Sequence, residues 1–151
     1  MPIPEEILYL TESDVQQTLS VAEAVNLAEM GIKADATGRV VGNKFYMPVN
    51  EHGFIKPFSG YMDGEEYAYV KSFSYFPGNT EKFNIPATSS MVWLFDAETG
   101  LPACVMQAGW VTGLKTAAST TVTTAYLARP DSDGNNLWSG YAGSTTLAGN
   151  G

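Results

Sequence analysis

The strongest constraint on the fold is a change of residue pattern near residue 40. Before it, Thr11–Asp14 and Ser20–Glu23 each place a hydroxyl three residues ahead of an acid, which is the spacing of a capping box at a helix N-terminus. A helix is predicted over about residues 21–35, with Gly38 in its exit turn. After residue 40, β-branched and aromatic residues interrupted by Pro, Gly and Asn predict several short strands. The apolar face of the predicted helix consists of Val21, Val25, Ala28 and Ile32.

The clearest predicted strand runs from Tyr67 to Phe76. Its period of two places five side chains on one face, which are Tyr67, Tyr69, Lys71, Phe73 and Tyr75. Lys71 is therefore a lone cation in an aromatic row. Its ammonium either reaches water along its aliphatic stem or meets an anion in a partly dry site, and the residues alone leave both alternatives open.

A hairpin is predicted where Met91–Phe95 and Ala103–Gln107 flank the turn Asp96–Gly100. Pro102 indicates that the second strand begins late or lies at an edge of the sheet, because proline cannot donate to a ladder.

A second long helix is predicted over about residues 113–128, with Thr112 as its N-cap and Arg129–Pro130 at its end. Its predicted packing side consists of Leu114, Ala117, Ala118, Thr121, Val122 and Ala125. Lys115 falls in the first turn of this helix, where the macrodipole disfavours a cation. An anion bound there would gain both the free N–H groups and the Lys115 charge.

These patterns predict one α+β domain over residues 1–130, with N-terminal helices packed on a mixed, mostly antiparallel sheet. A chain of 151 residues with 44% hydrophobic residues suits a single domain better than a two-domain enzyme. Beyond Pro130 the composition changes to Asp, Ser, Gly, Asn and Thr with scattered apolar residues. Residues 131–151 are therefore predicted to be a disordered or irregular tail without a core.

Charge and cysteine content exclude several classes of function. Eight Lys plus Arg against sixteen Asp plus Glu give a net charge of −8, the wrong sign for a nucleic-acid or membrane surface. With one cysteine, Cys104, and one histidine, His52, neither an internal disulfide nor a Cys/His metal cluster is expected. Cys104 is interpreted as a buried inert thiol and His52 as a surface residue. The acidic N-terminus shows no export signal, so a cytoplasmic location is predicted.

Four segments, in the same order, resemble the ornithine cyclodeaminase and mu-crystallin family. The segments are Lys71–Asn79, Leu94–Pro102, Val111–Ala118 and Tyr126–Pro130, and the resemblance covers about residues 7–133. In that family this region is an α+β substrate-binding and dimerisation domain, and a Rossmann domain for NAD follows. The resemblance thus implies a homodimer that binds a small amino or imino acid.

The resemblance also implies roles for three lysines. Lys71 matches the family's active-site Lys, and Lys44 matches an Arg or Lys position that helps to hold the substrate carboxylate. Lys115 stands where the family usually has an Arg that grips this carboxylate. Lysine offers a point charge in place of a bidentate fork, which weakens the case for ornithine as the substrate. The family's catalytic acid lies in the Rossmann half and has no counterpart here.

The implied parent activity is that of a lyase or oxidoreductase of amino acid metabolism. It is the NAD(P)-dependent oxidation and deamination of an amino acid, or the reduction of an imino acid. Without a cofactor domain the hydride has no acceptor, so the chain alone is expected to bind no NAD and to be inactive. Two alternatives are a non-catalytic module for small-carboxylate binding or dimerisation, and an unstable remnant that lacks the contacts of its other half.

The tail of this chain differs from the family pattern. In the family, the helix that ends at Arg-Pro is followed by a strand and a Gly-x-Gly-x-x-Gly turn that binds the dinucleotide. Read one base later, the codons of Trp138 and Ser139 must encode Gly, because Trp has only the codon TGG. The shifted triplets at Gly140–Tyr141 and Gly143–Ser144 can also encode Gly, at the same spacing. Our hypothesis is that residues from about 134 onward are out of frame; a chance match in a Gly/Ser/Thr tail is the alternative. The gene sequence decides, since restoring one base must reopen a long frame that carries the turn.

Overall fold

The computed structural model describes residues 6–128. The predicted tail over 131–151 and the hypothesis of a frame change there lie outside the described residues. Within them the chain forms four helices: α1 Glu12–Thr18, α2 Val21–Ala36, α3 Asn79–Phe83 and α4 Gly109–Leu127. It also forms seven strands: β1 Leu8–Leu10, β2 Val40–Lys44, β3 Met47–Asn50, β4 Gly53–Met62, β5 Tyr67–Tyr75, β6 Thr88–Asp96 and β7 Pro102–Gln107.

All seven strands belong to one sheet in the order β1-β7-β6-β5-β4-β2, and β3 also pairs with β4. Only the β1–β7 pair is parallel among the described strands, and the others are antiparallel. The predicted α+β fold with a mixed, mostly antiparallel sheet is therefore confirmed.

The N-terminal helices begin at the two capping boxes that the sequence contains. The Thr11 hydroxyl accepts from the Asp14 N–H at 3.3 Å, and the Asp14 carboxylate accepts from the Thr11 N–H at 2.9 Å. Ser20 and Glu23 make the same reciprocal pair at the start of α2. These hydrogen bonds from hydroxyl and backbone donors lower the pKa values of Asp14 and Glu23. Gly38 follows α2 with a φ of +74°, which confirms its place in the exit turn.

The predicted β6–β7 hairpin is also confirmed. Asp96 Oδ1 accepts from the Thr99 N–H at 2.7 Å and from the Thr99 hydroxyl at 2.6 Å, and Gly100 has a φ of +71°. Pro102 is the first residue of β7, one residue before the predicted start, and β1 pairs with the other side of the strand, so β7 neither begins late nor lies at an edge.

The predicted start of α4 is wrong. The helix begins at Gly109, not at residue 113, and the carboxylate of Glu12 accepts from the N–H groups of Gly109, at 3.1 Å, and of Trp110. A Cβ on Gly109 would lie 2.7 Å from Glu12 Oε1, so a larger residue at this position would require the end of the Glu12 side chain to shift. Thr112 is therefore not the N-cap, and Lys115 lies in the second turn instead of the first. The free N–H groups predicted beside Lys115 are therefore absent there, because Lys115 lies inside the helix, and at the observed start of α4 Glu12 accepts from the N–H groups of Gly109 and Trp110.

The helical core lies between α2 and α4. Ala24, Leu114 and Ala118 are buried against one another, and Leu19, Val25, Ala28 and Trp110 pack around them. The buried stripe of α4 is narrower than predicted, because it follows Leu114, Ala118 and Val122 at a spacing of four residues. The other predicted packing residues are half-buried, as Ala117 is, or exposed, as Thr121 and Ala125 are. On α2, Val21 and Ile32 are exposed at the ends of the predicted face. Of the helices over residues 6–128, none combines the length and hydrophobicity that a membrane span requires.

Candidate functional site

The register of the sheet brings two of the three predicted site lysines onto one face. Lys44 on β2 lies opposite Phe58 on β4, and Phe58 lies opposite Lys71 on β5. Directly opposite residues on neighbouring strands point to the same face, so Lys44 and Lys71 share a face and their backbones lie about 10 Å apart. We call this side of the sheet, which carries Lys44, Lys56, Phe58 and Lys71, the lysine face.

Lys71 lies at the centre of the lysine face and is half-buried. Its Nζ donates to the hydroxyl of Thr112 on α4 at 2.8 Å and lies 6.0 Å from the centre of the Phe58 ring. Burial lowers the pKa of Lys71, and the nearby ammonium of Lys115 lowers it further. The amine therefore lies between sheet and helix in a site where its charged form is less stable than in water.

Lys115 reaches the same region from α4. It follows Thr112 by three residues, which places both side chains on neighbouring parts of the helix surface. Lys115 is itself exposed, and its charge acts on the Lys71 amine. The structure thus brings Lys44, Lys71 and Lys115 to one region, although Lys115 arrives from the second helical turn.

Lys56 belongs to this region as well, although it was not predicted as a site residue. It lies on β4 opposite Phe73, so it is a diagonal neighbour of Lys71, with about 7–8 Å between their backbones. Its Nζ lies 4.8 Å from the centre of the Phe54 ring and 5.5 Å from that of Tyr46, within the range of cation–π attraction. The spacing of Lys56 and Phe58 in the sequence indicates that both side chains point to the same face of a strand. Only the β4–β5 register shows that this face also carries Lys71.

Two hydroxyls complete the polar surroundings of Lys71. Ser90 on β6 lies opposite Phe73 and places its Oγ 3.0 Å from the Thr112 hydroxyl. Thr112 also donates to the carbonyl of Ala108 at 2.5 Å. Thr112, predicted as a helix cap, is instead the hydrogen-bond partner of Lys71.

The lysine face is positively charged although the chain as a whole is acidic. The ion pairs formed among residues 6–128 join Lys33 to Glu29 and His52 to Glu51, and none involves the four lysines of this region. Four ammonium groups without carboxylate partners in the described part of the chain attract a small anion, and amine N–H groups can bind each oxygen of a carboxylate.

The other two reactive residues lie outside this region. Cys104 is buried in β7, as predicted, and burial raises the pKa of its thiol, which makes it a poor nucleophile. His52 is exposed in the turn between β3 and β4, as predicted, with its Nε2 at 3.5 Å from the carboxylate of Glu51.

Residues 6–128 lack the glycine turn that typically binds the pyrophosphate of a dinucleotide. A pyrophosphate binds at a glycine turn that leads from a strand into a helix N-terminus. At the junction of β7 with α4, the carboxylate of Glu12 occupies the helix N-terminus and would repel phosphate. The glycines with positive φ in the described ranges are Gly38, Gly64 and Gly100, each in a turn that leads into a strand.

Comparisons with known proteins show the family to which the chain belongs. The model of the ornithine cyclodeaminase/mu-crystallin family matches residues 5–136. An alanine dehydrogenase of Archaeoglobus fulgidus is 33% identical over 128 residues, which are 84% of this chain and 38% of that protein.

Two solved structures share the fold. The archaeal alanine dehydrogenase dimer with bound NAD matches with a TM-score of 0.78 and 31% identity, over 84% of this chain and 39% of that one. The Δ1-pyrroline-2-carboxylate reductase of Thermococcus litoralis, in complex with NADH and L-proline, matches with a TM-score of 0.79 and 31% identity, over 84% of this chain and 40% of that one. The chain spans about two fifths of the length of these relatives. It belongs to the ornithine cyclodeaminase/mu-crystallin family.

Proposed function

We propose that the lysine face is the carboxylate-binding part of a site for a small amino or imino acid. The observation that carries the proposal is the placement of Lys44, Lys56 and Lys71 on one face of the sheet, with Lys115 near Lys71 on α4. A carboxylate bound over Phe58 can accept hydrogen bonds from amines on both sides. Each of these bonds is charge-assisted, and the half-buried position of Lys71 weakens the competition from water.

Lys71 has a second proposed role in proton exchange. Its lowered pKa brings the neutral amine closer to physiological pH, so Lys71 can pass a proton to or from the bound nitrogen compound. Lys115 supports this indirectly, because its positive charge disfavours the protonated form of Lys71. The exposed Lys44 and Lys115 serve to attract and orient the carboxylate.

The lysine face favours a substrate whose side chain carries no positive charge. Phe54, Phe58 and Phe73 form apolar surface beside Lys56 and Lys71. A terminal ammonium, such as that of ornithine or lysine, would meet like charge there and no ion-pairing carboxylate in the described part of the chain. Alanine, proline and the corresponding imino acids therefore fit this part of the site better. The names of the relatives, alanine dehydrogenase and pyrroline-2-carboxylate reductase, support this class of substrate.

The redox step of the whole protein is proposed to depend on NAD(P) held outside residues 6–128. When bound, the dinucleotide would accept or donate the hydride at the substrate α-carbon. The related alanine dehydrogenase and Δ1-pyrroline-2-carboxylate reductase structures contain NAD and NADH, respectively, which supports this assignment. A reducing compartment, the cytoplasm, suits a chain whose single cysteine is a buried thiol.

We also propose that the chain forms a homodimer through the side of the sheet opposite the lysine face. This surface, the apolar face, carries exposed Tyr9, Val41, Met47, Val70 and Trp93. Trp93 is 40% exposed at its centre, and such a patch is typical of a protein interface. The description of the archaeal alanine dehydrogenase as a dimer supports a second copy of the chain as the partner.

Calorimetry with matched acids and amides tests the proposed function. We expect the 151-residue chain to bind L-proline or L-alanine weakly, with a Kd on the order of millimolar, and not to bind L-prolinamide or L-alaninamide. Lys71→Gln should weaken binding about tenfold or more, because it removes the central charge. Lys82→Gln changes an exposed lysine on α3 and should have no effect. The proposal fails if the amides bind as well as the acids, or if the two variants behave alike.

A further inference from the structure

The hydroxyl of Thr112 has an unusual set of partners. The other threonines of α4 that form side-chain hydrogen bonds in the described chain, such as Thr116 and Thr120, donate to the helix carbonyl four residues earlier. Thr112 does the same toward Ala108, at 2.5 Å, but its oxygen also lies 2.8 Å from Lys71 Nζ and 3.0 Å from Ser90 Oγ.

Counting protons fixes the direction of all three hydrogen bonds. A hydroxyl has one proton and two lone pairs, and a carbonyl can only accept. The proton of Thr112 therefore goes to the carbonyl of Ala108. Lys71 and Ser90 must both donate to Thr112, which uses both lone pairs of its oxygen. The hydroxyl is fully satisfied and cannot rotate without losing a bond.

The hydrogen-bond acceptor of Lys71 is a neutral hydroxyl and not a carboxylate, and this difference affects the pKa of the amine. A carboxylate beside Lys71 would stabilise the ammonium and raise the pKa. The neutral Thr112 oxygen favours the protonated form of Lys71 less strongly than a carboxylate would. It can also accept a hydrogen bond from the neutral amine, which still has N–H groups to donate. Burial and the Lys115 charge can then lower the pKa of Lys71 without an opposing ion pair in the described residues.

We propose that Thr112 is the positioning residue of Lys71, which it holds over the lysine face in both the protonated and the neutral form. This inference rests on the proposed role of Lys71 in ligand binding and proton exchange. Thr112 itself contacts no ligand in this proposal and acts through the amine that it orients.

Competitive labelling of the lysines with limiting acetic anhydride, from neutral to strongly alkaline pH, tests the inference in the full chain without ligand. Mass spectrometry of the peptides gives the titration of each lysine, and the pKa of Lys71 should lie below the usual value for a lysine side chain. Thr112→Val should lower the pKa of Lys71 further, because the half-buried ammonium loses its acceptor. Thr112→Ser should restore it, and Thr120→Val, the same change at an exposed site of α4, should leave it unchanged. Equal titration in the two valine variants, or no rescue by serine, overturns the inference.

A measurement on the unaltered chain covers the case in which Thr112→Val does not fold. NMR relaxation of the lysine Cε groups should show Lys71 markedly more restricted than the exposed Lys44 and Lys82. Equal mobility would contradict the anchoring of Lys71 by Thr112. Neither test involves a carboxylate, so a failure here is distinct from a failure of L-proline to bind, which would count against the proposed function.

Discussion

Truncation of Leu114 to alanine is expected to lower the free energy of unfolding by about 2–5 kcal/mol. Leu114 is 7% exposed and packs between Ala24 and Ala118, where the two long helices meet. The other buried apolar residues of the described chain are valines, alanines and Cys104, so Leu114 is the largest side chain among them. Because the neighbouring side chains are small, they cannot move far enough to fill the cavity that the truncation leaves. The expected loss of stability is therefore well above that of an average substitution.

Urea denaturation at a fixed protein concentration measures this effect. Leu127→Ala is the matched control, because Leu127 is 78% exposed at the end of the same helix and its loss should change stability by less than about 0.5 kcal/mol. If the two variants unfold at the same urea concentration, the core between α2 and α4 does not stabilise the domain as described.

Replacement of Trp93 by glutamate is expected to weaken self-association by about a hundredfold or more. Trp93 lies in the middle of the apolar face, in a row with Val105 and Val70 on the neighbouring strands. In a symmetric dimer each copy contributes the same surface, so one substitution removes two aromatic anchors and buries two unpaired charges. Loss of a central tryptophan alone often costs more than 2 kcal/mol at an interface.

Sedimentation velocity over a range of concentrations measures the change. Phe83→Glu is the control, because Phe83 is 67% exposed on α3, outside the strands that form the apolar face. The proposed interface is rejected if the unaltered chain remains monomeric at all concentrations, or if both variants dimerise equally well.

Features determined by local contacts were predictable from the sequence. Both capping boxes join residues three positions apart, and the β6–β7 turn is stabilised by Asp96 and Thr99 within the same loop. The alternation along β5 is an equally local pattern, and it places Lys71 on its observed face. These elements depend on spacing alone, so one sequence is sufficient to find them.

Features determined by distant contacts were not predictable. The start of α4 depends on Glu12, which lies 97 residues from Gly109 in the chain, so the nearer Thr112 was a plausible but wrong cap. β1 has only three residues and exists because it pairs with β7. Lys56 was missed for the same reason, since its place beside Lys71 depends on the β4–β5 register.

The convergence of four amines on one small carboxylate is the central claim, and NMR of the lysine side chains tests it most directly. The chain would be labelled with ¹³C at lysine Cε and titrated with L-proline. We expect Lys44, Lys56, Lys71 and Lys115 to shift along one saturation curve, while Lys33, paired with Glu29, and Lys82 on α3 do not move. Shifts spread evenly over all lysines, or confined to residues away from the lysine face, would contradict the claim.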